Sequence, residues 1–424
     1  MSLLLVLALF SGMARAESFG QIPPPAEADL SQCYAWSVEQ AESLRMQEQQ
    51  IYQLEQQYKQ VLASALPNLN FFAQEKWQDT SSPLAASGGV FFASPQPNIG
   101  FSLAQPLFSG FREFAAMKSF KHQGQAAELS LRHAHTVVYQ NVVNAFYLVL
   151  NLETQLADTT MAVDLATKRL KELKHFEELG KSRHSEVTLV ESQEATLEAS
   201  AEVIKGQIDA ARSVLSFLTG KDMGQAKLAD KMDRVRALGA EEQSLGRALD
   251  RSDVRSLRKT VESQEDQIQL AKGAFFPTVS FLGNYYTKRT TFLAPVSWDA
   301  AVSGSVPLYQ GGGQLAAVRQ AKSQLSQAQY NLELQLRQAR TDIHSAFVAL
   351  RAAVASAEAA ERAYVKADET YRVEDKEYRL GLVNNLDVMT ALNSLISAKT
   401  SFDQILIQMK IDSLQLKIAD EELP

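Results

Sequence analysis

Cysteine is nearly absent. Cys33 is the only one in 424 residues, so no intramolecular disulfide and no cysteine-based zinc site can form. Past residue 20 there is no run of about 18 consecutive apolar residues, which excludes a transmembrane helix there. A nucleic-acid footprint is missing too: the formal net charge is -7, and no Lys/Arg cluster stands out. The six histidines, His122, His133, His135, His175, His184 and His344, show no H-E-x-x-H pair and no two-face ligand spacing, so no metal site is expected. No nucleophile elbow or Cys/His arrangement is present. Gly311-Gly312-Gly313 lacks the Lys-Ser/Thr pair of a phosphate loop and reads as a strand-to-helix turn. These absences argue against an enzyme and give no support for a cofactor. The 46% apolar and 21% charged content is nonetheless that of a globular chain.

What is present begins with a leader. Leu3 to Phe10 is a short apolar run, and Ala14-Arg15-Ala16 offers small residues at a peptidase site. Residues 1–16 therefore read as a signal peptide, too short for a membrane span.

An internal repeat organises the remainder. Gln105-Pro106-Leu107-Phe108-Ser109-Gly110 answers Val306-Pro307-Leu308-Tyr309-Gln310-Gly311, an offset of 306 − 105 = 201. Leu179-Gly180 with Glu186-Val187 answers Leu380-Gly381 with Asp387-Val388, and Ala145-Phe146 answers Ala346-Phe347, at the same offset. Leu66-Pro67-Asn68-Leu69 answers Phe276-Pro277-Thr278-Val279 at 276 − 66 = 210, so a loop between the strands differs in length. The expected partition is a first repeat over 17–219, an equatorial connector over 220–243 and a second repeat over 244–424.

Each repeat carries a long heptad pattern. Leu336, Ile343, Leu350, Ala357, Tyr364, Tyr371 and Tyr378 are spaced by seven, with a companion series from Leu325 to Ala367. The first repeat shows Val142, Val149, Leu156, Val163 and Leu170 with Ala145, Leu152, Ala166 and Leu173. No proline interrupts either run, and together they form an a/d seam. The long helices, roughly 112–179 and its mate, should span about 100 Å. Each ends at a glycine, Gly180 or Gly381, suited to a left-handed cap. A return helix follows, making a helical hairpin. Residues 36–64 and 244–273 read as shorter helices of about 45 Å that complete the wall.

Between helices lie four stretches of period-two alternation, 68–78, 98–107, 278–288 and 297–308. Strands of about ten residues with one apolar and one polar face are the pattern of a membrane barrel. Trp77, Tyr285 and Trp298 lie near strand ends, where interfacial aromatics belong. Four strands cannot close a barrel, and open edges cannot face lipid, so the strands demand oligomerisation.

Together, these features resemble the TolC-type outer-membrane efflux protein family (outer membrane factors). The carriers are the twofold repeat, the Leu66-Pro67 and Phe276-Pro277 strand entries, the Pro106-to-Gly110 and Pro307-to-Gly312 strand exits, and Tyr378-Arg379-Leu380-Gly381 followed by Leu386-Asp387-Val388. The resemblance implies a mainly α fold with membrane β: a TolC-like twofold repeat of β-hairpin plus long helical hairpin. It also implies a homotrimer that shares a twelve-stranded β-barrel and an α-helical barrel. The chain would sit in the outer membrane, against its lipid, with the tunnel in the periplasm. It would serve as a duct subunit of a tripartite efflux or type I secretion system. A periplasmic adaptor protein and an inner-membrane pump of RND, ABC or MFS type would be its partners. Other readings are a periplasmic adaptor, which would have one helical hairpin flanked by β domains, or a soluble coiled-coil scaffold, which would not need the strands.

The family places acidic residues on the inner side of the tip turns, which here start at Gly180-Lys181 and Gly381-Leu382-Val383. Asp387 matches such a position and Glu186 is its repeat mate, so both are candidates for the aperture. A second acid three residues on is replaced by Thr390. An acidic constriction favours cations. The alternative role for both carboxylates is helix capping, with Asn384 as N-cap to Asp387. Leu382 and Val383 suit adaptor contact, or plain helix packing.

Overall fold

The computed structural model describes residues 26–79, 94–234, 241–290 and 295–422. The expected leader, most of the first hairpin loop and part of the second lie outside the described residues. Two strand-connected helical hairpins dominate. Helix α1 is Leu30–Gln40, α2 Glu42–Ser64, α3 Arg112–Glu178, α4 His184–Thr219, α5 Glu241–Arg247, α6 Ser252–Gly273, α7 Gly313–Arg379 and α8 Asn385–Ala419. The strands are β1 Glu27–Asp29, β2 Asn68–Lys76, β3 Gln96–Phe108, β4 Lys227–Ala229, β5 Thr278–Arg289 and β6 Trp298–Ser305.

The repeat survives in three dimensions at single-residue accuracy. Helices α3 and α7 are each 67 residues, offset at both ends by 313 − 112 = 379 − 178 = 201. The preceding β2 and β5 start 278 − 68 = 210 apart, as the shorter second loop requires. α3 coils with α4 and α7 with α8, while α2 and α6 pack beside the upper parts of the long helices. The heptad seam is the core: Val142, Val149, Ala166 and Leu173 are fully buried in the first repeat, and Ala339, Ile343 and Ala357 in the second. A fully buried valine contributes about 2 kcal/mol, and the small alanines let the helix axes approach. Among the described residues, no helix is long and apolar enough to cross a membrane.

Two expectations need correction. The stretch 244–273 is not one helix: it breaks between α5 and α6 at 248–251. Arg251 there pairs with Asp253 at 2.7 Å and Asp342 at 3.5 Å, and the freed N–H of Ser252 donates to the Glu421 carboxylate at 2.7 Å. Likewise 36–64 is two helices that start earlier, at Leu30, because Asp29 and Gln32 form a capping box. Their break at Ala41 leaves the Glu39 carbonyl to the Arg45 guanidinium, 2.5 Å away. The stretch after Gly220 also contains β4, which pairs in parallel with β1. Lys231 clasps Asp29 there at 2.7 Å, and this hydrogen bond holds the Asp29 carboxyl down at about 2.

The other four strands form one antiparallel sheet in the order β2-β3-β5-β6. Opposed residues share a face, so the register assigns both sides. One side carries Leu69, Leu103, Phe281 and Val302, the other Asn70, Ser102, Asn284 and Ser303. On the apolar side Phe71, Phe101, Tyr285 and Trp298 stand opposite one another in a single row across all four strands. Trp298 is 65% exposed and Phe71 62%. A second set of exposed apolar residues, Phe111, Phe276, Leu308 and Tyr309, collects where the strands meet the helices.

Candidate functional site

Each long helix ends in the same built turn. Gly180 and Gly381 adopt φ of 68° and 76°. The Gly180 and Lys181 amides donate to the Glu177 and Phe176 carbonyls at 2.9 and 2.7 Å. The Gly381 and Leu382 amides donate to Tyr378 and Glu377 at 2.9 and 3.0 Å. That is a Schellman motif in both repeats, the reason a glycine is needed where the helix must stop and reverse.

The return helices start differently. Asn384 and Asp387 form a reciprocal capping box: the Asp387 amide donates to Asn384 Oδ1 at 3.1 Å, and the Asn384 amide to Asp387 Oδ2 at 3.2 Å. Asp387 is exposed and held by its own helix start alone among the described contacts. Thr390 turns its hydroxyl back onto the Leu386 carbonyl at 2.8 Å. Glu186 makes no side-chain cap. It accepts from the Ser182 hydroxyl at 2.8 Å and lies beside the Tyr378 phenol, joining one tip to the other. Burial raises that phenol above its ordinary range.

Above the turns the two repeats are tied by a buried arginine that sequence reasoning missed. Arg169 of α3 is 2% exposed. Its Nε and Nη2 donate to Asn385 Oδ1 of α8 at 3.0 and 2.9 Å, and Nη1 lies 3.6 Å from Asp375 of α7. The guanidinium stacks on the Tyr378 ring, 3.8 Å from its centre. Arg379 closes the network on Glu172 at 2.8 Å and Asp375 at 3.0 Å. Lys399 of α8 bridges to Asp158 of α3 at 3.0 Å and to Asp403 at 2.5 Å. Arg169 corresponds by the 201 offset to Thr370, so the repeat carried no sign of it.

The tips also differ chemically. The first presents Lys181, Arg183 and His184, all exposed. The second presents Leu380, Leu382 and Leu386, each more than 60% exposed, while Val383 is half-buried. A groove runs up α7 from Leu382 past Leu380, Lys376, Val373 and Arg372. Leu386 is exposed at the same tip, although sequence reasoning assigned it no contact role. Of the expected interfacial residues, Tyr285 and Trp298 face each other in the aromatic row, and Trp77 stands just beyond β2.

One trio among the described residues brings metal-ligand types together: His133, Asp253 and Glu421, with ligand atoms within 4.8 Å of one another. Each carboxylate already has protein partners. Asp253 accepts from Arg251 and Gln335 at 2.7 and 2.8 Å, and Glu421 from the Ser252 amide and His133 at 2.7 and 3.1 Å. The trio fastens the chain end to the start of α6.

Comparison with known proteins accounts for this design. The family model of outer membrane efflux proteins matches residues 37–221 and 245–419, the two repeats in turn. The outer membrane efflux protein BepC of Brucella suis is 24% identical over 323 residues, covering 72% of this chain and 68% of that protein. The outer membrane protein TolC of Salmonella enteritidis is 23% identical over 348 residues, covering 77% and 69%. A membrane protein from Pseudomonas aeruginosa of known crystal structure superposes with a TM-score of 0.83 at 19% identity, covering 94% of each chain. With both repeats matched in order, the chain belongs to the outer membrane efflux protein family, and it is an outer-membrane channel for efflux or secretion whose helices span the periplasm.

Proposed function

We propose that three copies of the chain close a shared twelve-stranded barrel and continue it as a helical tunnel. The observation that carries this is the open four-stranded sheet. β2 and β6 each pair on one side only among the described residues, while the sheet's apolar face is exposed. Unpaired strand edges are untenable in lipid, and three times four strands falls within the range of closed membrane barrels. The row containing Tyr285 and Trp298 then marks the outer interface, with Trp77 beyond it. Residues 17–219 and 244–424 act as the two wall units, joined outside the tube by 220–243.

At the far end, Asp387 and Glu186 narrow and charge the aperture. The tips, Gly180-Lys181 and Gly381-Leu382-Val383 with Leu386, meet a periplasmic adaptor coupled to an inner-membrane pump of RND, ABC or MFS type. The exposed leucines of the second tip support the contact, since an uncovered apolar patch at a chain reversal marks a protein interface. Asp387→Asn tests the aperture: an amide oxygen can still accept from Asn384, so the cap stays and only the charge goes. Cation selectivity in planar bilayers should fall. Unchanged selectivity would leave Asp387 as a cap alone.

A further inference from the structure

Strand β5 contains one residue too many. Gly100 of β3 stands opposite Tyr286, and Ile99 opposite Lys288, so Thr287 has no opposite number. Its hydroxyl donates to the Ile99 carbonyl at 3.1 Å. An extra residue inverts the alternation of everything after it. Up to Tyr286 odd residues of β5 share the apolar face. Beyond the bulge Lys288 shares that face with Ile99, and Arg289 shares the polar face with Asn98. Two adjacent cations are thereby sent to opposite sides of the wall, each to the side the other would otherwise occupy.

Arg289 is met on its side: the guanidinium lies over the Tyr286 ring at 4.0 Å and 3.8 Å from Asp299. Lys288 is exposed and has no ion-pair partner among the described residues. Glu75, the other charge on the apolar face, stands opposite Pro97, two strands away and one like-facing pair further up, more than about 10 Å off. The height of Lys288 is informative. Its partner Ile99 is two residues beyond Phe101, so Lys288 sits about 7 Å past the row of Phe71, Phe101, Tyr285 and Trp298, toward the hairpin loops. Aromatic rows settle where acyl chains give way to head groups, and cations just beyond them meet lipid phosphate.

We propose that Lys288 binds the phosphate of an outer-leaflet lipid, with Tyr285 and Trp298 beneath it along the lipid's upper chains. The proposal rests on the outer-membrane barrel reading above. Purified trimer is incubated with lipid A or with lipid A stripped of its phosphates, and retained lipid is counted by native mass spectrometry. Wild type should keep up to three lipid A molecules per trimer and little of the stripped form. Lys288→Gln should bind lipid A about fivefold more weakly, Lys288→Arg should retain it, and Lys76→Gln, on the polar face, should behave as wild type. Equal retention by Lys288→Gln, equal binding of the stripped lipid, or full displacement by inorganic phosphate would overturn the site while leaving the barrel intact. A chain that forms no heat-modifiable trimer would overturn the barrel and the site with it.

Discussion

Replacing Arg169 with methionine should loosen both tips without disturbing the rest of the tunnel. The arginine is buried and spends two of its N–H groups on Asn385 Oδ1, whose own side chain is 1% exposed. Asn385 Nδ2 already lacks a partner, so the substitution leaves that amide wholly unpaired in the interior. Asp375 and Glu172 keep Arg379, at 3.0 and 2.8 Å, which limits the loss. Removing one side of a buried charged contact costs roughly 3–5 kcal/mol, and the remaining arginine places the expectation near about 3 kcal/mol. Local opening of the tips is then favoured by that amount, and amide exchange there should accelerate by on the order of a hundredfold. Hydrogen exchange on the purified protein reads this directly, in peptides covering Val187 to Val190 and Val388 to Leu392, which carry Val187, Val190, Met389 and Leu392 of the buried tip core. Peptides around Val142 to Val149 should exchange as before. The double variant Arg169→Met with Asn385→Leu should recover most of the protection, since no buried polar group is then left alone. Wild-type exchange at the tips of the single variant would refute the network's role as a tie between repeats.

Two further outcomes follow from the same geometry. Gly381→Ala should cost about 1 kcal/mol through the left-handed backbone alone, because a Cβ there meets nothing within 4 Å. Gly180→Ala should cost the same by thermal denaturation, and a marked difference between the two would mean the turns are not equivalent. Asp412 is 6% exposed, and burial raises its pKa against a single hydrogen bond from Gln408. A carboxyl whose folded pKa is raised contributes stability below its unfolded value, and loses it as pH rises through the folded one. Asp412→Asn should therefore stabilise the protein at pH 7 by up to about 1 kcal/mol, with the gain disappearing below about pH 4. Destabilisation at pH 7 would contradict a burial penalty on the Asp412 carboxylate.

The repeat was legible because it is written in lengths as well as letters. A shared 201 offset in the Leu-Gly turns, the Ala-Phe pairs and the strand exits requires two helices of equal length, and α3 and α7 have it to the residue. Strand faces were legible for the same reason that a bulge was not. Alternation assigns Leu69 and Phe71 correctly, yet nothing in Tyr286-Thr287-Lys288 marks Thr287 as the residue without an opposite. The helix breaks at Ala41 and 248–251 escaped notice because neither holds a proline or glycine. Side-chain ties at a distance, Arg45 to Glu39 and Glu421 to Ser252, satisfy those ends instead of local caps. β1 and β4, three residues each, are too short to show a period. At the tips the glycines and the Asn384–Asp387 cap followed from local chemistry, whereas the Arg169 network depends on contacts more than 200 positions apart, such as 385 − 169 = 216.

The central claim is that one chain is a third of a conduit. Chemical crosslinking of the detergent-extracted protein, followed by mass measurement, tests it most directly. The expected ladder stops at three copies of the 46.8 kDa chain, less any leader removed, and the uncrosslinked complex shifts on gels only after heating. A monomer, or a ladder that runs past three without closing, would contradict it.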